Sequence, residues 1–172
     1  TGDGSGYYIA QTQPMKLAAV EGLYEGGKDV GLVCVGMLNP EKETYNDGKD
    51  PFLFRMEIPG MLSILAERDR EGYVPGISNL IEGGYQLKNG TTALSAAEKI
   101  ERGKTAIQAL AAYRAAKSVD NEADAAVAYK VLQENMPYFG YGYIKDVNEL
   151  VPNVPLNFYA FRVMVMLGGY FI

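Results

Sequence analysis

Apolar residues along the chain fall into runs of different kinds, and each kind predicts a different element. The longest covers 154–172. It is almost wholly apolar and aromatic, with Arg162 as its one charge. Its length approaches that of a membrane span, so the expectation is the start of a transmembrane helix in a segment excised from a membrane protein. A buried C-terminal core helix is the competing reading. A second apolar run follows Gln13. Pro14 suits a first helical position, and Met15, Leu17, Ala18, Ala19, Val20, Leu23 and Tyr24 continue the helix, with Gly26-Gly27 as its expected stop. Apolar groups occur all round this axis, the pattern of a buried helix. Lys16 and Glu21 interrupt it. Five residues separate them, placing them roughly 140° apart around the axis, too far for the pairing seen at three or four residues. The plain reading is that both charges snorkel to water.

Other runs have shorter periods. The valine-rich stretch 30–38 and the alternating Phe52-Leu53-Phe54-Arg55-Met56-Glu57-Ile58 predict two strands, the second with Phe52, Phe54, Met56 and Ile58 on one face. The polar stretch 39–51 between them contains the turn signal Asn46-Asp47-Gly48 and makes the long tip of a hairpin that must pack on helices. Short helices are expected at 61–68 and 77–81. Ser95-Ala96-Ala97-Glu98 has the form of a capping box. Ala93, Ala96, Ala97, Ile100, Lys104, Ile107, Ala111 and Ala115 step from it at helical spacing. Asp120 or Asn121 caps a partner helix that ends before Pro137. Thr1 to Gly6 reads as a flexible lead-in carrying Asp3. The aromatic, glycine-broken stretch 138–143 suits either a membrane interface or core packing. The predicted class is therefore mainly α with a small β-hairpin, divided into a helical loop domain at 1–153 and a truncated transmembrane helix at 154–172.

Composition narrows the chemistry. The chain has 172 residues, 48% apolar and 22% charged, enough for one modest core, and a net charge of −5 gives no basic footprint for nucleic acid. It contains no histidine, so an imidazole base, a Ser-His-Asp triad and most zinc sites are excluded within it. Proton chemistry must use carboxylate, Lys or Tyr. The lone Cys34, between two valines, reads as a buried, inert thiol.

Certain strings go beyond pattern. Gly2-Asp3-Gly4-Ser5-Gly6-Tyr7, then Gln13-Pro14-Met15-Lys16-Leu17-Ala18-Ala19-Val20-Glu21, resembles the opening of the quinol-binding loop in subunit I of cytochrome bd-type quinol oxidases. Phe139-Gly140-Tyr141-Gly142-Tyr143 and Phe158-Tyr159-Ala160-Phe161-Arg162-Val163-Met164-Val165 follow in the same order as in that family. The middle of the chain matches by length and helical character alone.

The resemblance implies an oxygen-reducing quinol oxidase of the aerobic respiratory chain, in the bacterial inner membrane, with this loop on the periplasmic side. Sparse Lys and Arg near Val154 suit that side. Oxidising a quinol releases two electrons and two protons, so a site needs apolar walls, a hydrogen-bond donor and a carboxylate. By resemblance Glu21 accepts the proton and Lys16 binds a quinol oxygen; Asp3 and Gln13 belong near the site. Met164 matches an axial ligand of a low-spin haem b, whose potential a thioether raises. Arg162, costly inside a membrane, is expected to meet a haem propionate or a carboxylate. The implied partners are quinol, the remaining transmembrane helices of the subunit with their further haems, a second oxidase subunit and the lipid bilayer. The isolated segment would be inactive. A membrane-anchored helical module that binds protein without catalysis is the alternative.

Overall fold

The computed structural model describes residues 2–171, with side chains from residue 4. It is mainly α with one two-stranded antiparallel sheet. Helix α1 (Gly2–Thr12) gives way at Gln13 to α2 (Pro14–Glu21), and strands β1 (Leu32–Leu38) and β2 (Phe52–Ile58) follow. Then come α3 (Met61–Glu67), α4 (Ile77–Glu82), the long α5 (Ala96–Ser118), α6 (Glu122–Asn135), 3₁₀ turns at Met136–Tyr143 and Val147–Leu150, and α7 (Val154–Tyr170).

The Gly-rich start is helical rather than a flexible lead-in. Three glycines disfavour a helix, but Ala10 packs with Leu62, Ala66 and Val74, and Gln11 Nε2 donates to the Ala66 carbonyl at 3.1 Å. Tertiary burial outweighs local propensity there. Helix α2 stops earlier than Gly26-Gly27. Gly22 takes the left-handed conformation (φ 63°), and the Leu23 amide bonds back to the Ala18 carbonyl at 2.8 Å, the double-bonded stop that glycine favours. A Cβ at Gly22 would stand 2.9 Å from the Phe52 ring, so packing requires glycine as well. Glu21 is thereby the last residue of α2.

The hairpin departs from simple alternation at two bulges. Leu38 pairs with Phe52 but Met37 with Phe54, leaving Leu53 extra; Val33 pairs with Glu57 but Val35 with Met56, leaving Cys34 extra. The first bulge separates Phe52, which is buried, from Phe54, Met56 and Ile58, which are exposed. The second makes Cys34 an unpaired, exposed position, correcting the expectation of a buried thiol.

The main core joins Ala18 and Ala19 of α2, Val33, Leu38 and Phe52 of the sheet, Ile77, Leu80 and Ile81 of α4, Ala96, and Val154 and Phe158 of α7. Ser95 and Glu98 form the expected capping box, and the Asn121 side chain caps α6. The inward stripe of α5 is turned from the one expected: Gly103, Ala106, Ala109 and Ala116 are buried with Ala96 and Ile100, while Ala97, Lys104, Ala111 and Ala115 are exposed. The reason is the 136–143 turn, which presses backbone to backbone on α5. A Cβ at Gly103 would lie 2.3 Å from the Gly142 amide, and one at Gly142 2.5 Å from the Gly103 carbonyl carbon. This aromatic stretch packs on α5, where Arg102 stands 5.5 Å from the Tyr138 ring and Lys99 6.0 Å from that of Tyr141.

The segment Val147–Tyr170 is long and apolar enough to cross a membrane, with mean hydropathy 1.3 and only 11% of its most apolar stretch buried inside the protein. Its N-terminal end nevertheless joins the core through Val154 and Phe158.

Candidate functional site

The end of α2, the start of β1 and the third turn of α7 converge on one guanidinium. Arg162 Nη2 donates to Glu21 Oε2 at 2.9 Å and to the Val33 carbonyl at 2.9 Å, and Nη1 donates to the Val20 carbonyl. The group lies 3.7 Å from the centroid of the Phe158 ring, one turn earlier on α7. Its Nε is buried and has no partner among the described residues. Arg162 thus meets a carboxylate, and that carboxylate is Glu21.

Glu21 is 4% exposed. Burial pushes its carboxyl above the ordinary carboxylate range, because a charge taken from water loses its hydration; the Arg162 charge and hydrogen bond, with help from the Val33 backbone, pull the other way without reversing the shift. Such a carboxyl exchanges a proton nearer neutral pH than a surface glutamate does.

Glu21 also lines an open cleft of about 860 Å³, a volume suited to a small aromatic ligand. Gly22, Tyr24, Val33, Phe52, Arg55 and Glu57 border it, together with the hairpin tip. Lys42 fixes that tip: its Nζ contacts Asp47 Oδ1 at 2.7 Å and stands 4.6 Å from the centroid of Tyr24. Asp47 in turn accepts the amides of Glu43, Thr44 and Lys49 at 2.9, 3.2 and 3.1 Å. The sequence marked Asn46-Asp47-Gly48 as a turn but carried no sign that it closes a wall of the cleft. Tyr24 and Lys42 were missed for the same reason, since nothing local links them to Glu21.

Of the residues singled out from sequence, Glu21 and Arg162 are brought together. Lys16 is exposed on α2 and does not border the cleft. Gln13 is exposed at the N-terminus of α2; its carbonyl accepts the Lys16 and Leu17 amides, while its side chain makes no cap. The Asp3 side chain lies outside the described residues. Met164 is 59% exposed on α7. A thioether so placed is open to a metal, and it is the resemblance alone that assigns it to a haem; the chain contains no histidine to serve beside it.

The chain is mainly helical, and its final helix, long and apolar enough to cross a membrane, holds a buried acid. The chain belongs to the family of cytochrome bd terminal oxidase subunit I, matching it over residues 1–172. It is similar to cytochrome bd-II ubiquinol oxidase subunit 1 of Escherichia coli (strain K12), with 29% identity over 181 aligned positions. That match takes in 98% of this chain and 31% of the relative, so the chain spans about a third of that protein's length.

Proposed function

We propose that this chain forms the quinol-oxidising surface of an oxygen-reducing terminal oxidase, with 1–153 as the loop domain on the periplasmic face of the bacterial inner membrane and 154–172 entering the bilayer. The carrying observation is Glu21, a buried carboxyl at the wall of a cleft large enough for a quinol ring. Family membership supports the same reading, as does the name of the relative, a ubiquinol oxidase subunit.

In this proposal the quinol ring enters the cleft beside Tyr24 and Phe52, and Glu21 takes the proton of a hydroxyl as the ring is oxidised. Arg162 holds the carboxylate in place and offsets the cost of burying it. Lys16 contacts the second quinol oxygen. Because it stands outside the cleft, this contact requires the ring to reach from Glu21 toward the N-terminal half of α2 rather than lie wholly inside. Gln13 and Asp3 contribute polar groups at the N-terminal end of the same surface. Met164 would hold the iron of a low-spin haem b, which when bound supplies a one-electron acceptor. The other haems, the second subunit and the rest of the transmembrane bundle complete the enzyme, and the segment alone is inactive.

The test is Glu21→Gln in the full-length protein, which keeps shape and removes the base. Quinol oxidation should fall about 100-fold with folding retained, since a positioned base contributes at least that much. The wild-type rate should rise with pH through a limb lying above the ordinary carboxylate range, because burial favours the protonated acid. Retention of the full rate by Glu21→Gln would overturn the proposal. Lys16→Ala should cost about tenfold, the scale of one hydrogen bond to a ligand, mainly in KM.

A further inference from the structure

The geometry points to a membrane contact outside the cleft: the outer face of the β1–β2 ribbon lies in the membrane–water interface, with its side chains among lipid. This extends the reading of α7 as a membrane helix and does not depend on quinol chemistry.

The outer face of the ribbon departs from that of a hairpin on a water-soluble protein, which is polar. Its inner face carries Val33, Leu38 and Phe52 into the core, and Arg55 and Glu57, in contact at 3.5 Å, border the cleft. Its outer face is apolar: Val35 pairs with Met56 and Met37 with Phe54, and Ile58 continues the row. All five are exposed, from 49% to 59%. Water gives such a row no compensation, and a contiguous bare apolar face of this kind marks a contact surface.

The position of the ribbon identifies the occupant. The Leu38 amide meets the Tyr159 hydroxyl at 3.0 Å, and the Val33 carbonyl meets Arg162. Strand β1 thus crosses α7 at the level of residues 159–162, about 5 Å of the helix axis. At that level Leu156 and Val163 of α7 are not covered by any other part of this chain. Ribbon and helix present apolar surface side by side, which a bilayer covers without needing a matched partner shape. The edges set the depth. Tyr159 and Arg162 satisfy groups on the β1 edge, but among the described residues β2 has no further strand beside it, and an open edge does not occur in the hydrocarbon layer. Among headgroups, water answers the β2 edge while the five side chains reach the acyl boundary.

The test uses full-length protein in nanodiscs. On a Cys34→Ser background, spin labels at Phe54→Cys and Met56→Cys report collisions with oxygen and with a water-soluble nickel chelate. The oxygen-to-chelate ratio should be several-fold higher at both sites than at Glu43→Cys on the hairpin tip. A ratio equal to that at position 43 would overturn the inference by showing a wet face, and protection from both reagents would overturn it by showing a protein covering. Photoactivatable lipid applied to the unsubstituted protein guards against misfolding of the variants: adducts on 52–58 are expected, and adducts on α7 with none on 52–58 would overturn the assignment.

Discussion

The α2–β1–α7 junction and the α5–α6 lobe with its 136–143 turn are held by opposite means. At the junction one guanidinium answers a carboxylate and two carbonyls, and the pair is almost shielded from water, with 12% and 3% of the two side chains exposed. In the lobe, small residues let backbones meet: Gly103 faces Gly142, and Ala106, Ala109 and Leu132 form the core between them. The difference teaches where each region is vulnerable. The junction fails when a group is taken away, since a buried charge is left unanswered. The lobe fails when a group is added, since there is no room.

The largest effect should come from taking the cation away. Arg162→Gln leaves Glu21 buried without its partner, and losing one member of such a pair costs about 3–5 kcal/mol, read as a lowered unfolding midpoint of the full-length protein in detergent. Adding Glu21→Gln should cost much less than the sum of the two single changes, because the partners share one interaction. An unshifted midpoint in Arg162→Gln would erase the contrast.

Addition in the lobe comes next. Gly142→Ala should destabilise by about 1–3 kcal/mol, the usual cost of overpacking. Gly140→Ala, two residues away with nothing within 4 Å of its Cβ position, should stay within about 0.5 kcal/mol in the same unfolding measurement. Equal costs at 140 and 142 would mean that backbone conformation, not space, governs the segment.

The smallest effect sharpens the electrostatic side. Lys42 and three amides hold the Asp47 carboxyl well below the usual range. Its contribution to stability is therefore present above the ordinary carboxylate pKa and is lost as pH falls through the depressed value. Glu21 has the opposite sign: its raised pKa favours the fold at low pH, and that share is lost as pH rises through it. Asp47→Asn should speed hydrogen exchange at the Glu43, Thr44 and Lys49 amides, read by mass spectrometry, and lower the global midpoint by less than either change above.

What could be read in advance follows this division. The capping box at Ser95, the Pro14 start of α2 and the apolar run of α7 are local signals, and each gave its element. Glu21 and Arg162 stood out as charges in apolar surroundings, but that each was the other's partner was not legible, since 141 residues separate them. The stripe of α5 was misjudged because alanines occur on several faces and the turn that selects one lies far along the chain. Cys34 and Phe52 were displaced from simple alternation by bulges, which add a residue without any distinctive residue type. The cleft wall at Lys42 and Asn46 came from a loop folding back, which a turn signal does not aim.

Gly22 has a consequence for how this protein can diversify. Directly after the acid, the chain reverses with φ at 63°, and any side chain there would strike Phe52. On the other flank, Val20 offers its carbonyl to Arg162. Position 22 is thus committed to architecture, and a new ligand preference cannot arise there. Changes that retune what the cleft admits are steered to the hairpin tip at 39–51, where side chains can turn over while Asp47 keeps the main chain in place.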